Sequence, residues 1–270
     1  MTYEDHIPGQ PRSVALVSSG PGSGKTLIAA TAAMLTNTAL RDTGHEIFLM
    51  DGDATNAGLT RLLARHRNAT HHRDLADFAL DHRVELVYRS IEGLLQPLWP
   101  GHGSEPGAFL LGLGDPARLA ADPSLDLPAT LACAVDRLSE LAGVLVVDCR
   151  AGWGPETLAV CSGVQHIAVV AEPHDVASGA LEELERALVE ARLSARVLGC
   201  VLNKTQLHGA DPFAASGAPP PMPVVAELPF DKEAAVAAGQ GELPAADGPF
   251  CTAILTALAV FAPEIFPGPA

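Results

Sequence analysis

The chain alternates short apolar runs, most of them closed by Gly, Ser or Asp, with longer segments rich in Ala and Leu. Residues 14–18, 47–50, 109–113, 144–147, 166–171, 197–202 and 224–228 read as strands, and most are continuously hydrophobic, as strands covered on both faces should be. Between them, helices are predicted over residues 25–40, 128–141, 176–191 and 232–238. A last apolar helix over 250–261 should pack on the sheet. Gly44 is placed to close the first helix. Strand and helix in turn is the rhythm of βαβ units, so the expected fold is α/β with a mostly parallel central sheet flanked by helices in three layers. Residues 97–107 and 208–223 are rich in Pro, Gly and small side chains and read as surface loops. Residues 1–12 read as a flexible tail. A chain of 270 residues in this pattern is expected to form one domain, and no internal repeat divides it.

Composition narrows the classes. At 48% hydrophobic and 18% charged the chain is globular rather than disordered. Its formal charge of −15 repels a phosphate backbone unless a basic patch is segregated, and none is visible. Arg61, Arg65 and Arg67 read as a solvated helix face. No nucleic-acid partner is therefore expected. The first twelve residues carry Glu4 and Asp5 without an apolar core, which argues against a secretory signal. Apolar runs stay short of the roughly 20 residues that span a bilayer. Five cysteines are scattered without a CxxC pair and read as structural thiols of a reducing compartment, so a cytoplasmic protein is expected.

The strongest chemical signal is Ser19-Gly20-Pro21-Gly22-Ser23-Gly24-Lys25-Thr26, set between a strand and a helix as a Walker A motif requires. Glycines let backbone amides turn inward around phosphates, and the helix N-terminus adds its dipole to the attraction. Lys25 would reach the β- and γ-phosphates, and Thr26 would offer its hydroxyl to Mg²⁺. With this loop the α/β reading becomes a P-loop NTPase fold. Asp51 and Asp53 end the second strand and Asp148 ends the run 144–147, so all three carboxylates should project at the edge where open α/β sheets bind ligands.

Four blocks in order resemble the MinD/ParA group of P-loop ATPases: residues 20–26; Asp51-Gly52-Asp53 with Asn56-Ala57-Gly58-Leu59; Asp148-Cys149-Arg150-Ala151-Gly152; and Leu202-Asn203-Lys204 followed by Leu228-Pro229-Phe230-Asp231 and Ala238-Gly239. The resemblance implies ATP and Mg²⁺ as cofactors, with Thr26, Asp148 and the nearby Asp51 at the metal and Lys25 at the phosphates. It implies that Asp53 orients the attacking water, that Asn203 and the backbone near Pro229 read adenine, and that the Gly152 loop senses the γ-phosphate. The family's signature lysine, which enters the partner protomer's phosphate site, would fall at Gly20, and Pro21 stands where its neighbouring glycine would be. Slow or partner-dependent hydrolysis is expected, since losing a cation at the transferring phosphate costs orders of magnitude in rate.

Arg150 is a candidate substitute cation, against the plainer reading of a surface arginine. Residues 250–270 contain no Lys or Arg, so anionic membranes gain nothing from them and no membrane partner is expected. An unidentified protein partner is the default, a homodimer stays open, and Trp153 is a candidate docking residue or a core one. The expected function is a nucleotide-driven switch. The runner-up is a GTPase metallochaperone of the nickel-insertion type, whose loop this one also resembles. Gln206 replaces the guanine-reading carboxylate, however, and His66, His71 and His72 read as a solvated loop more readily than as metal ligands. A ligase of the dethiobiotin synthetase type and an ATP-binding scaffold with little hydrolysis are the remaining classes.

Overall fold

The computed structural model describes residues 12–66, 73–79, 88–101, 106–122, 124–177, 179–205, 221–263 and 265–266. Its strands are β1 (Arg12–Val17), β2 (Ile47–Gly52), β3 (Gln96–Pro100), β4 (Pro106–Leu111), β5 (Val144–Cys149), β6 (His166–Ala171), β7 (Val197–Asn203) and β8 (Val224–Leu228). They form one sheet in the order β3-β4-β2-β5-β1-β6-β7-β8. Every neighbouring pair is parallel except β3 and β4. The three-layer P-loop NTPase fold expected from the sequence is present.

Continuous hydrophobicity has its cause in the layering. Along β5, Leu145 and Val147 face a core cluster that includes Leu131, Val135 and Leu138 of the helix Leu127–Leu141. Val146, pointing the other way, joins Ile28 of the helix Lys25–Leu40 and Ile254 of the helix Pro249–Phe261. Both faces are dry, so alternation with polar residues is lost: all six residues of β2 are buried. The register then aligns the chemistry. Asp51 and Asp148 are paired across β2 and β5, and Leu16 of β1 pairs with Asp148 on the other side.

The elements differ from expectation in several places: helices such as Pro155–Gly163 were not foreseen, and the strand expected over 109–113 is Pro106–Leu111, which starts inside the expected loop 97–107. Within the expected loop 97–107, Pro97–Pro100 belongs to β3, antiparallel to β4 with irregular register at Trp99. Proline has no N–H for a ladder, and β3 tolerates it because it is an edge strand. The helix expected over 176–191 is interrupted: one segment is Pro173–Ala177 and the next is Ala180–Glu190, with Gly179 between them at φ 77, a left-handed value incompatible with continuous α-helix. Arg12, assigned to the tail, opens β1. Residues 1–11 of that tail, residues 208–220 of the second expected loop, His71, His72 and Gln206 lie outside the described residues.

Gly44 has φ 75 at the end of the turn 41–44 that follows the first helix, where the Thr43 amide takes the Leu40 carbonyl. All five cysteines are free, four of them buried. Among the described residues, no helix is long and apolar enough to cross a membrane.

Candidate functional site

The loop from Ser18 to Gly24 connects β1 to the helix Lys25–Leu40. Gly22 (φ 84) and Gly24 (φ 89) hold left-handed conformations that a side chain resists. At Gly24 the requirement is double, since an added Cβ would lie 2.3 Å from Nδ2 of Asn203. Lys25 is buried and donates from Nζ to Oγ of Ser18 at 2.7 Å; that hydroxyl in turn donates to the carbonyl of Gly20 at 2.8 Å. Burial lowers the Lys25 pKa, with Asp148 and Asp53 among the groups opposing it. Burial leaves the ammonium poorly hydrated, which strengthens its attraction for an anion, and the acidic neighbours favour its charged form.

Next to it Thr26 donates from Oγ1 to Oδ2 of Asp148 at 2.6 Å. Burial, reinforced by the neighbouring Asp51, raises the Asp148 pKa to about 7 against the pull of Thr26 and Lys25. Its other oxygen, Oδ1, is buried without a hydrogen-bond partner. A buried carboxylate oxygen with no donor beside a threonine hydroxyl is the hard-oxygen pair that Mg²⁺ takes together with phosphate oxygens and water. These residues fit that ion.

Asp51 is differently employed. Its Oδ2 accepts from the amide and hydroxyl of Thr60 at 2.8 and 2.7 Å, and its Oδ1 accepts from the Asp53 amide at 3.1 Å. Burial raises its pKa against these hydrogen bonds. Asp51 therefore ties β2 to the helix Gly58–Leu62, whose Gly58 sits against the Thr26 side chain: a Cβ there would be 3.4 Å from Oγ1.

Asp53 is held by its own turn. Its Oδ1 accepts from the Thr55 amide and hydroxyl at 3.0 and 2.5 Å and from the Asn56 amide at 3.2 Å, and its Oδ2 from the Asn56 side chain at 3.1 Å. Burial raises the Asp53 pKa, but these bonds outweigh it and leave the carboxyl below its ordinary value. It is a charged acceptor at neutral pH.

Gly152 (φ 83) donates its amide to the carbonyl of Ser18 at 2.9 Å, tying the loop after β5 to the start of the phosphate loop. Of its neighbours, Arg150 is exposed, whereas Trp153 is half-buried and packs against the core. Asn203, at the end of β7, is buried and donates to the carbonyl of Ser23 at 2.8 Å. It pairs in register with Leu228, the residue before Pro229, so both expected base contacts stand on the same sheet edge. The residues singled out from the sequence thus converge: the phosphate loop, Asp51, Asp53, Asp148 and Asn203 share one edge. His66 does not join them; its ring meets Trp99 edge-on. Among the described residues, no group of three or more His, Cys, Asp or Glu could hold a metal ion.

Sequence reasoning missed Thr60, Glu172 and any role for Lys204. Lys204 donates from Nζ to the carbonyl of Gly22 and to Oε1 of Glu172, each at 2.7 Å. Its place directly after Asn203 was the one available signal.

No family model matches the chain. An uncharacterised ATP-binding protein of Methanocaldococcus jannaschii is 24% identical over 192 residues, covering 71% of this chain and 64% of that protein. The chain thus spans under two thirds of that relative's length. The septum site-determining protein MinD of Pyrococcus horikoshii, solved with Mg-ADP, superposes with a TM-score of 0.71 at 18% identity, covering 93% of this chain and 96% of that one. A ParA family ATPase of Chlorobium tepidum gives 0.64 at 16% identity, covering 90% and 96%. Identities this low establish a shared fold: the chain has the architecture of the MinD and ParA ATPases.

Proposed function

We propose, from the premise of a fold held in common with MinD and ParA ATPases, that this protein binds ATP with Mg²⁺ and hydrolyses it slowly as a switch for a protein partner. The observation that carries the reading is the Thr26–Asp148 pair, with Oδ1 of Asp148 buried and unpartnered beside Lys25. The P. horikoshii protein, solved with Mg-ADP, and the ATP-binding M. jannaschii relative support the choice of nucleotide and ion.

In this reading the amides of residues 20–26 and the Lys25 ammonium bind the phosphates. Thr26 and Asp148 would hold Mg²⁺, which would supply charge neutralisation for the γ-phosphoryl group. Asp51 keeps that pair in place through Thr60, and Asn203 with the backbone near Pro229 borders the base. Asp53 aligns the attacking water. Thr55 and Asn56 fill its Oδ1, while its Oδ2 accepts one bond and keeps a lone pair for a water, so the turn 53–56 holds the carboxylate in one orientation. The absence of a signature lysine at Gly20 favours a second reading, an ATP-binding scaffold with little hydrolysis. The charge of −15 supports a protein rather than a nucleic-acid partner, and the five free cysteines support a reducing, cytoplasmic setting. A homodimer remains compatible with this function, without the signature lysine at Gly20.

Two measurements test the proposal. Calorimetry with Mg·ATP is expected to give a binding heat that Lys25→Ala abolishes; absence of any Lys25-dependent heat overturns nucleotide binding. Asp53→Ala is expected to retain ATP within a few-fold of the wild-type affinity while phosphate release falls about a hundredfold. Release unchanged by that substitution removes Asp53 from the mechanism, and no release from wild type under any partner condition selects the scaffold.

A further inference from the structure

The phosphate loop is gripped from behind by two consecutive residues of one strand end. Asn203 holds the carbonyl of Ser23, and Lys204 holds the carbonyl of Gly22. A trans peptide unit points its C=O and its N–H to opposite sides. Fixing the Gly22 carbonyl on the β7 side therefore turns the Ser23 N–H toward the interior of the loop. Fixing the Ser23 carbonyl does the same for the Gly24 N–H. Those are amides that an anion-binding nest must present.

The grip is built at some cost. Lys204 adopts φ 59, a left-handed value unusual for a side chain that gains nothing from it. Its ammonium is shared with Glu172, a nearly buried carboxylate at the end of β6, which gives the cation a fixed seat. Glu172 is itself positioned from its own turn, where its amide donates to Oδ2 of Asp175 at 2.7 Å. Carbonyls that Lys204 and Asn203 occupy cannot rotate inward and present oxygen to a phosphate.

We propose that Asn203 and Lys204, with Glu172 as counter-charge, form a clamp within the chain that holds the phosphate loop in its anion-accepting shape. Lys204 is a positioning residue: it touches the loop's outer carbonyl and acts on phosphates through the amides behind it. The inference rests on the phosphate-binding part of the function proposed above. It adds to the site a positioning contact that comes from the same chain and needs no second protomer.

The test compares Mg·ATP and inorganic tripolyphosphate binding by calorimetry for wild type, Lys204→Met and Lys204→Arg. A hydrogen bond from a charged donor contributes about 1.5–3 kcal/mol, so Lys204→Met should weaken both ligands by about tenfold to a hundredfold. Lys204→Arg, which keeps a charged donor, should recover most of the loss. The thermal midpoint without ligand should move by only a few degrees, because the side chain is partly exposed. Wild-type binding with an unchanged dissociation constant in Lys204→Met overturns the clamp alone. Weakened ATP with unchanged tripolyphosphate overturns it as well, since Lys204 would then serve the base. Failure of wild type to bind either ligand overturns the clamp together with the nucleotide-binding reading.

Discussion

Without metal or nucleotide, wild type should lose about 2 kcal/mol of stability relative to Asp148→Asn as the pH is raised from about 5.5 to about 8. Asp148 has its pKa raised from 3.8 to about 7 by burial and by Asp51. Because the folded protein holds this proton more tightly than the unfolded chain, the stabilisation is complete below pH 4 or so. It is lost as the pH rises through about 7. Asn keeps the shape and has no proton to lose, so its curve lacks that component. Groups away from the site act in both curves: His166, whose pKa is lowered by burial and by Arg12, contributes with the opposite sign and cancels in the difference. Lys25 and Asp51 interact with the Asp148 charge and belong to the component being measured. Chemical denaturation in chelator at several pH values measures the difference, and parallel curves sink the assignment. The same proton competes with a cation, so adding Mg²⁺ with nucleotide should remove the loss at high pH in wild type and do nothing comparable for Asp148→Asn.

Gly24→Ala should cost about 2–4 kcal/mol of stability and at least about a hundredfold in ATP affinity, whereas Gly20→Ala should leave stability almost untouched. The contrast comes from backbone and neighbours. Gly24 sits at φ 89, where a Cβ adds about 1–2 kcal/mol of strain, and that Cβ would lie 2.3 Å from Nδ2 of Asn203. Moving Asn203 away leaves the Ser23 carbonyl without its donor, worth roughly 1–3 kcal/mol where no water replaces it. At Gly20 an added Cβ meets nothing within 4 Å and no left-handed φ is required. Melting curves and calorimetry on both variants decide it. Equal behaviour of the two would mean that the loop relaxes around Gly24 without using Asn203.

Much of the fold was legible because it is written locally. Lys25–Leu40, His166–Ala171 and Val224–Leu228 have the bounds their hydrophobic runs predict, since the apolar run and the residues that close it are read from the segment itself. The loop 19–26 was legible for a related reason: left-handed glycines, a lysine and a threonine at the start of a helix are fixed by neighbours in the chain. β3 was not, because prolines at 97 and 100 forbid a central strand and only the sheet's outline made that segment an edge. The interruption at Gly179 was hidden by the helical periodicity on either side of it.

The site divides along the same line. Sequence alone singled out the candidate phosphate and metal residues and placed them at strand ends, because hydrophobic runs, turn glycines and side-chain types are properties of short stretches. Only the tertiary structure decided what those groups do to one another. Burial drove the proton affinity of Asp148 up, parallel register set Asp51 beside it to add to the effect, and the same packing spent Asp51 on Thr60. Asp53 was turned onto Thr55 and Asn56. Lys204 met Gly22 across 182 positions of chain, a contact that no local pattern encodes, because it exists only once β7 and the phosphate loop are brought to a common edge.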